Sequence, residues 1–86
     1  MGADHRMTRS RIQAAVVELL SITVGRPIAP TESVARDSEP TWDSLKHIEL
    51  ILMLEEHFGV RFSEEEIPAL GNSDEIVDAI EERSAT

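Results

Sequence analysis

The stretch from Asp43 to Gly59 constrains this chain more than any other. It reads as a helix with a short polar cap at one end and a glycine stop at the other. Asp43 or Ser44 can cap it, because a side-chain oxygen there accepts a bond from a backbone N–H that has no partner inside the helix. Gly59 tolerates the left-handed conformation that ends helices. With Leu45 at zero and 100° steps, Leu50, Ile51, Leu54 and Phe58 fall between about 140° and 240°. Leu45, Ile48 and Leu52 form a second group, between about 300° and 360°. Glu55, at about 280°, lies on one side of that group, and Glu49 and Glu56, at about 20° to 40°, on the other. Ser44 sits at about 260°, at the edge of the same sector. One apolar stripe seats a helix on a small core. A second stripe edged by carboxylates exceeds what the fold needs, and the pattern predicts a docking surface. The plainer reading, a central helix buried on most sides, would force the glutamates into the interior or along awkward paths to water.

The rest of the chain supplies helices around this one. Thr8 or Ser10 can cap a first helix, about 9–24, in which Ile12, Ala15, Val16, Leu19, Leu20 and Ile22 are expected on one buried face. Gly25 and Pro27 end it. Residues 26–42 hold Pro27, Pro30 and Pro40 among scattered serines and threonines, and read as a long connection. A loop of that length is uncommon unless it is functional or anchored. Ile28 and Val34 are the expected anchors, with a short turn of helix around Ser33 to Asp37. Ser63 to Glu66 is a capping box opening a short third helix, about 64–70, kept short by Pro68. Asn72 and Glu75 open a fourth, about 73–83. Residues 1–7 read as a flexible tail. The expectation is an all-α fold: a small bundle of three longer helices plus one short one, with a long loop between the first and second, forming a single domain.

Composition narrows the function. Net charge is −9, from 8 basic and 17 acidic residues. That disfavours nucleic acid and anionic membrane surfaces and favours basic protein partners. There is no cysteine, hence no disulfide, thiolate metal site or cysteine nucleophile. No apolar run approaches a membrane span, so no membrane insertion is expected. The polar N-terminal stretch shows no signal-peptide core, and a cytoplasmic protein is expected. His5, His47 and His57 lack metal-ligand spacing and are expected as solvated surface residues. Met53 and Lys46 are expected exposed between the stripes. Trp42 is expected to close the loop onto the bundle.

Asp43, Ser44 and His47 also invite comparison with a hydrolytic triad. His47 follows Ser44 by three residues, so the two side chains are neighbours on a helix. Asp43 adjoins Ser44 and is poorly placed to orient the far side of His47. Nothing supplies an oxyanion hole. No catalytic residue is expected.

Asp43-Ser44-Leu45, then Ile48-Glu49-Leu50, then Leu54-Glu55-Glu56-His57-Phe58-Gly59-Val60 resembles the acyl carrier protein family, over about residues 8 to 83. These proteins are the phosphopantetheine-bearing carriers of fatty-acid, polyketide and related thiotemplate pathways. The resemblance implies 4′-phosphopantetheine, donated by coenzyme A, on Ser44 through a phosphodiester. Asp43 and Leu45 match the flanking residues read by the phosphopantetheinyl transferase. Glu49, Glu55 and Glu56 match positions that meet basic patches on acyl-loading, condensing or modifying enzymes, and Leu45, Ile48 and Leu52 match apolar contact positions. It also implies a monomer with no enzymatic activity of its own. The chain departs from the family at Pro40-Thr41-Trp42, where leucine, glycine and a variable residue are usual, and at Lys46-His47, where an acidic or polar pair is common. These departures suggest a discrete, specialised bacterial-type carrier rather than the housekeeping one. The alternative of a different class is an unmodified acidic helical adaptor for a basic protein.

Overall fold

The computed structural model describes residues 8–84; the expected tail at 1–7 and His5 lie outside them. Helix α1 spans Arg9–Val24, α2 Ser44–Phe58 and α3 Ser73–Ser84. Single 3-10 turns occupy Arg36–Ser38 and Ile67–Ala69. No strand occurs among the described residues, and one isolated antiparallel bridge joins Ala35 to Asn72. The fold is the expected all-α bundle.

α1 begins where the Arg11 N–H donates to Thr8 Oγ1 at 3.3 Å. It ends at Gly25, whose φ of 78° lets its N–H turn back to Ser21 O at 2.9 Å. Both α2 and α3 pack on α1. That double contact sets which face is buried: Ile12, Val16, Val17, Leu20, Thr23 and Val24. The face expected from spacing was wrong by part of a turn, for Ile22 is 64% exposed. With Ile12 at zero, the buried set spans about 0° to 140°, while Ile22 stands at about 280°. Thr23 joins the buried face because its hydroxyl donates to Leu19 O at 2.9 Å, leaving a methyl for the core.

The long connection is stapled at both ends. Near α1, Arg26 binds Glu32 at 3.0 Å and Glu39 at 3.0 Å. Near α3, Arg36 N–H donates to Gly71 O and Ser73 N–H to Val34 O, each at 2.8 Å. Val34 N–H donates to the buried Ser73 hydroxyl at 2.9 Å. These bonds satisfy loop backbone that would otherwise be buried without partners. They also sink the anchor Val34 into the core beside Trp42, while Ile28 packs partly buried against it.

The core is aliphatic around one indole. Trp42, Ile12, Leu20, Leu50, Leu54, Ile76, Ile80, Val16 and Val77 are its fully buried members. After α2, Phe62 and Leu70 add to the same core. Ser63 and Glu66 form the reciprocal box: Ser63 N–H donates to Glu66 Oε1 at 2.9 Å and Glu66 N–H to Ser63 Oγ at 3.2 Å. The helix expected at 64–70 is instead a turn followed by the 3-10 turn Ile67–Ala69. Pro68 has no N–H to continue an α pattern, and Ala69 and Leu70 bond only three residues back, to Glu66 O and Ile67 O. Arg83 on α3 ties this segment down, donating to Arg61 O at 3.0 Å and to the Glu66 carboxylate, its guanidinium 4.7 Å from the Phe62 ring centre.

Candidate functional site: the serine at the start of α2

Asp43 is the cap of α2. Its extended backbone lets Oδ1 accept from the Lys46 N–H at 2.9 Å. Ser44 is therefore the first helical residue, and its side chain is exposed. The free N–H groups and positive dipole end of a helix lie beside it, an environment suited to negative charge.

Arg36 reaches this hydroxyl across the loop. Its Nη2 donates to Ser44 Oγ at 3.1 Å and its Nε to Trp42 O at 3.2 Å. Sequence spacing gave no sign of this. The two lie eight positions apart across the loop, and no periodicity relates positions across a loop. A shallow open recess of about 240 Å³ adjoins the serine, lined by Arg36, Ser44, His47, Ile48, Ile67 and Pro68.

His47 corrects the reading of a solvated histidine. It is 3% exposed. Its Nδ1 accepts from Trp42 Nε1 at 2.9 Å, so Nε2 carries the proton and donates to Ile67 O at 2.7 Å. Both ring nitrogens are occupied, and neither is free to take a proton from Ser44. The triad comparison loses its base on this geometry. A tryptophan N–H ending in the core needs an acceptor, and an aromatic pair five residues apart around a cap was the one signal available.

α2 buries His47, Leu50, Ile51 and Leu54 and leaves Leu45 67%, Ile48 48% and Leu52 60% exposed. Phe58 and Met53 are partly buried against the core; Met53 is thus not the exposed residue expected between the stripes. Lys46 is half-buried, not exposed, and its Nζ approaches Glu49 at 3.6 Å. Glu49 and Glu56 are exposed. Glu55 behaves differently: it is half-buried, and its Oε2 accepts from Phe62 N–H at 2.9 Å. Of the three carboxylates, Glu55 thus spends an oxygen on holding the chain that leaves α2. His57 is exposed, its ring edge-on to Phe58 at 4.8 Å.

The chain is 35% identical over 75 residues to the acyl carrier protein of Thermosynechococcus vestitus, a match covering 87% of this chain and 89% of that one. No family model matches the chain. No solved structure matches it either. A relative at that identity over nearly the whole length of both chains, together with the three-helix fold, shows that the chain belongs to the acyl carrier protein family.

Proposed function

We propose that the chain carries acyl intermediates as thioesters on a 4′-phosphopantetheine arm attached to Ser44. It delivers them between enzymes of fatty-acid, polyketide or related thiotemplate biosynthesis. The observation that carries this reading is an exposed hydroxyl on the first residue of α2, next to an exposed apolar stripe. The donor set suits a phosphodiester: a hydroxyl at a helix N-terminus with a guanidinium 3.1 Å away. The open recess beside it has room for the near end of a slender arm.

The arm supplies the thiol that holds the cargo. The chain's own residues present, position and release. Asp43 and Leu45 flank the serine for the loading enzyme to read. Leu45, Ile48 and Leu52 form the apolar floor of a docking face, and Glu49 and Glu56 give it negative charge; Glu55 lies at its border. Basic patches on acyl-loading, condensing or modifying enzymes complement such a face, and charge complementarity gives fast, reversible encounter. Tethering raises the local concentration of cargo at each active site. On this reading the 86 residues serve as one non-catalytic carrier domain, monomeric and cytoplasmic. No helix among the described residues is long and apolar enough to cross a membrane.

The test is co-expression with a broad-specificity phosphopantetheinyl transferase followed by intact mass. Wild type should gain one phosphopantetheine, and Ser44→Ala should gain none. A bare wild-type protein beside an active transferase would overturn the proposal and leave the unmodified adaptor, which uses the same acidic face.

A further inference from the structure

We infer that Arg36 is the resident counter-cation for the phosphate on Ser44, a positioning residue built into the loop before α2. The inference rests on the reading of Ser44 as the loaded residue.

The chain holds 17 acidic residues against 8 basic ones, so a cation here has many potential partners. Arg9, Arg26, Lys46 and Arg83 each pair with a carboxylate. Arg36 is half-buried and has no carboxylate among the described residues within ion-pair range. It spends two of its five N–H donors, on the neutral oxygens of Trp42 and Ser44. The other three have no acceptor among the described residues. The neighbouring loop arginine makes the contrast plain. Arg26 is held by Glu39 and then Glu32, whose hydrogen bonds raise its pKa above the ordinary value and make it a latch.

The placement of Arg36 is built rather than incidental. Its backbone N–H is held by Gly71 O, its carbonyl accepts from Glu39 N–H, and its Nε is held by Trp42 O. With the stem fixed at both ends, the fork points at the serine oxygen. Loading replaces the O–H bond of Ser44 with an O–P bond. The pyrophosphate linkage of coenzyme A breaks, its nucleotide half departs, and the serine proton passes to buffer. The new phosphodiester carries one negative charge on its non-bridging oxygens, bonded to the phosphorus that joins the oxygen Arg36 already touches. Its non-bridging oxygens come within reach of the idle donors, and Arg matches them in a planar, two-pronged geometry that Lys lacks.

The experiment loads wild type, Arg36→Gln, Arg36→Lys and Arg61→Gln with coenzyme A and the transferase. Intact mass, the 31P resonance and Tm are read before and after. Arg61 lies just beyond the far end of α2, about 22 Å of helix away, so its variant changes net charge equally without touching Ser44. All four should gain the full phosphopantetheine mass. At low salt the 31P signal of Arg36→Gln should be displaced from wild type, and that of Arg61→Gln should coincide with wild type. The change in Tm on loading should be about 2–5 °C more favourable in wild type than in Arg36→Gln, with Arg36→Lys between them. In wild type alone, high salt should move the 31P signal toward the position seen in Arg36→Gln. Coincident 31P signals and equal loading shifts in wild type and Arg36→Gln would overturn the role of Arg36 while leaving Ser44 as the attachment point. A wild type without mass gain, or one that gains a bare phosphate, would overturn the Ser44 reading itself.

Discussion

The indole N–H of Trp42 donates to Nδ1 of His47 at 2.9 Å, with both side chains buried and their rings tilted 33° at 5.8 Å. His47 passes the connection on, from Nε2 to Ile67 O. One chain of hydrogen bonds thus joins the end of the long loop, the first turns of α2 and the 3-10 turn facing them. Ser44 sits between the two ends of its first link. Among the described residues no buried side-chain polar atom lacks a partner, so the polar thread through this core is satisfied.

Breaking that thread should cost stability. Trp42→Phe leaves Nδ1 of His47 buried without a donor, and unfolding free energy should fall by about 1–3 kcal/mol in urea titration. 15N-detected NMR should show His47 in the Nε2–H form. An unchanged urea midpoint, or the opposite tautomer, would show that the link is not made in solution.

The two stripes of α2 should respond differently to truncation. Leu54 is fully buried, and Leu54→Ala should destabilise by about 2–5 kcal/mol. Leu52 is 60% exposed, and Leu52→Ala should lie within about 0.5 kcal/mol of wild type. The same Leu52 substitution should weaken productive encounter with acyl-loading enzymes. Thermal melts of the pair decide the assignment: a negligible loss in Leu54→Ala beside a large one in Leu52→Ala would mean that the stripes have been exchanged.

The carboxylates of α2 should separate by role. Glu49→Lys with Glu56→Lys should slow loading by basic partner enzymes about tenfold at low salt, with unchanged helix content and a narrowing gap at high salt. Glu55→Ala should instead lower stability by about 1–2 kcal/mol, because it strips the acceptor from the Phe62 N–H. Equal loading rates for the double variant at low salt would argue against the docking face.

Acid should loosen the 60–70 segment in a predictable direction. The Arg83 guanidinium, and next the Ser63 N–H, hold the Glu66 carboxyl below its ordinary value of 4.5. A carboxylate whose folded pKa is depressed stabilises the fold fully above its unfolded value, and that stabilisation is lost as pH falls through the folded value. Glu66→Gln should therefore be the less stable protein near neutrality. The Tm curves of the two proteins should converge as pH falls below about 4.5 and through the depressed folded value of Glu66. Curves that stay parallel through the acid range would remove the pair as a source of acid sensitivity.

Local features were legible because local rules govern them. The Asn72 cap, the pair of candidates at each of the first two caps (Thr8 or Ser10, Asp43 or Ser44), the Ser63–Glu66 box and the stops at Gly25 and Gly59 each depend on residues within about four positions. The apolar spacing of α2 also read correctly, since two stripes separated by polar residues leave little freedom. α1 was harder. It is apolar around much of its circumference, so Ile22 and Val17 were equally eligible for the core until α2 and α3 chose a side. Glu55 sits at the border between the buried stripe and the exposed one, and only the course of the chain after Gly59 turned its carboxylate toward Phe62.

Taken alone, the order of residues determined three helices, their ends, the hydroxyl at the start of α2 and the two faces behind it. These follow from backbone hydrogen-bond needs and a 3.6-residue period, which act over a few positions. Tertiary structure alone decided that Arg36 reaches Ser44, that His47 is buried between Trp42 and Ile67, and that Ile22 faces outward. Each depends on where an irregular loop or a neighbouring helix comes to rest. That resting place is set by burial summed over the whole core, which no short window of sequence contains.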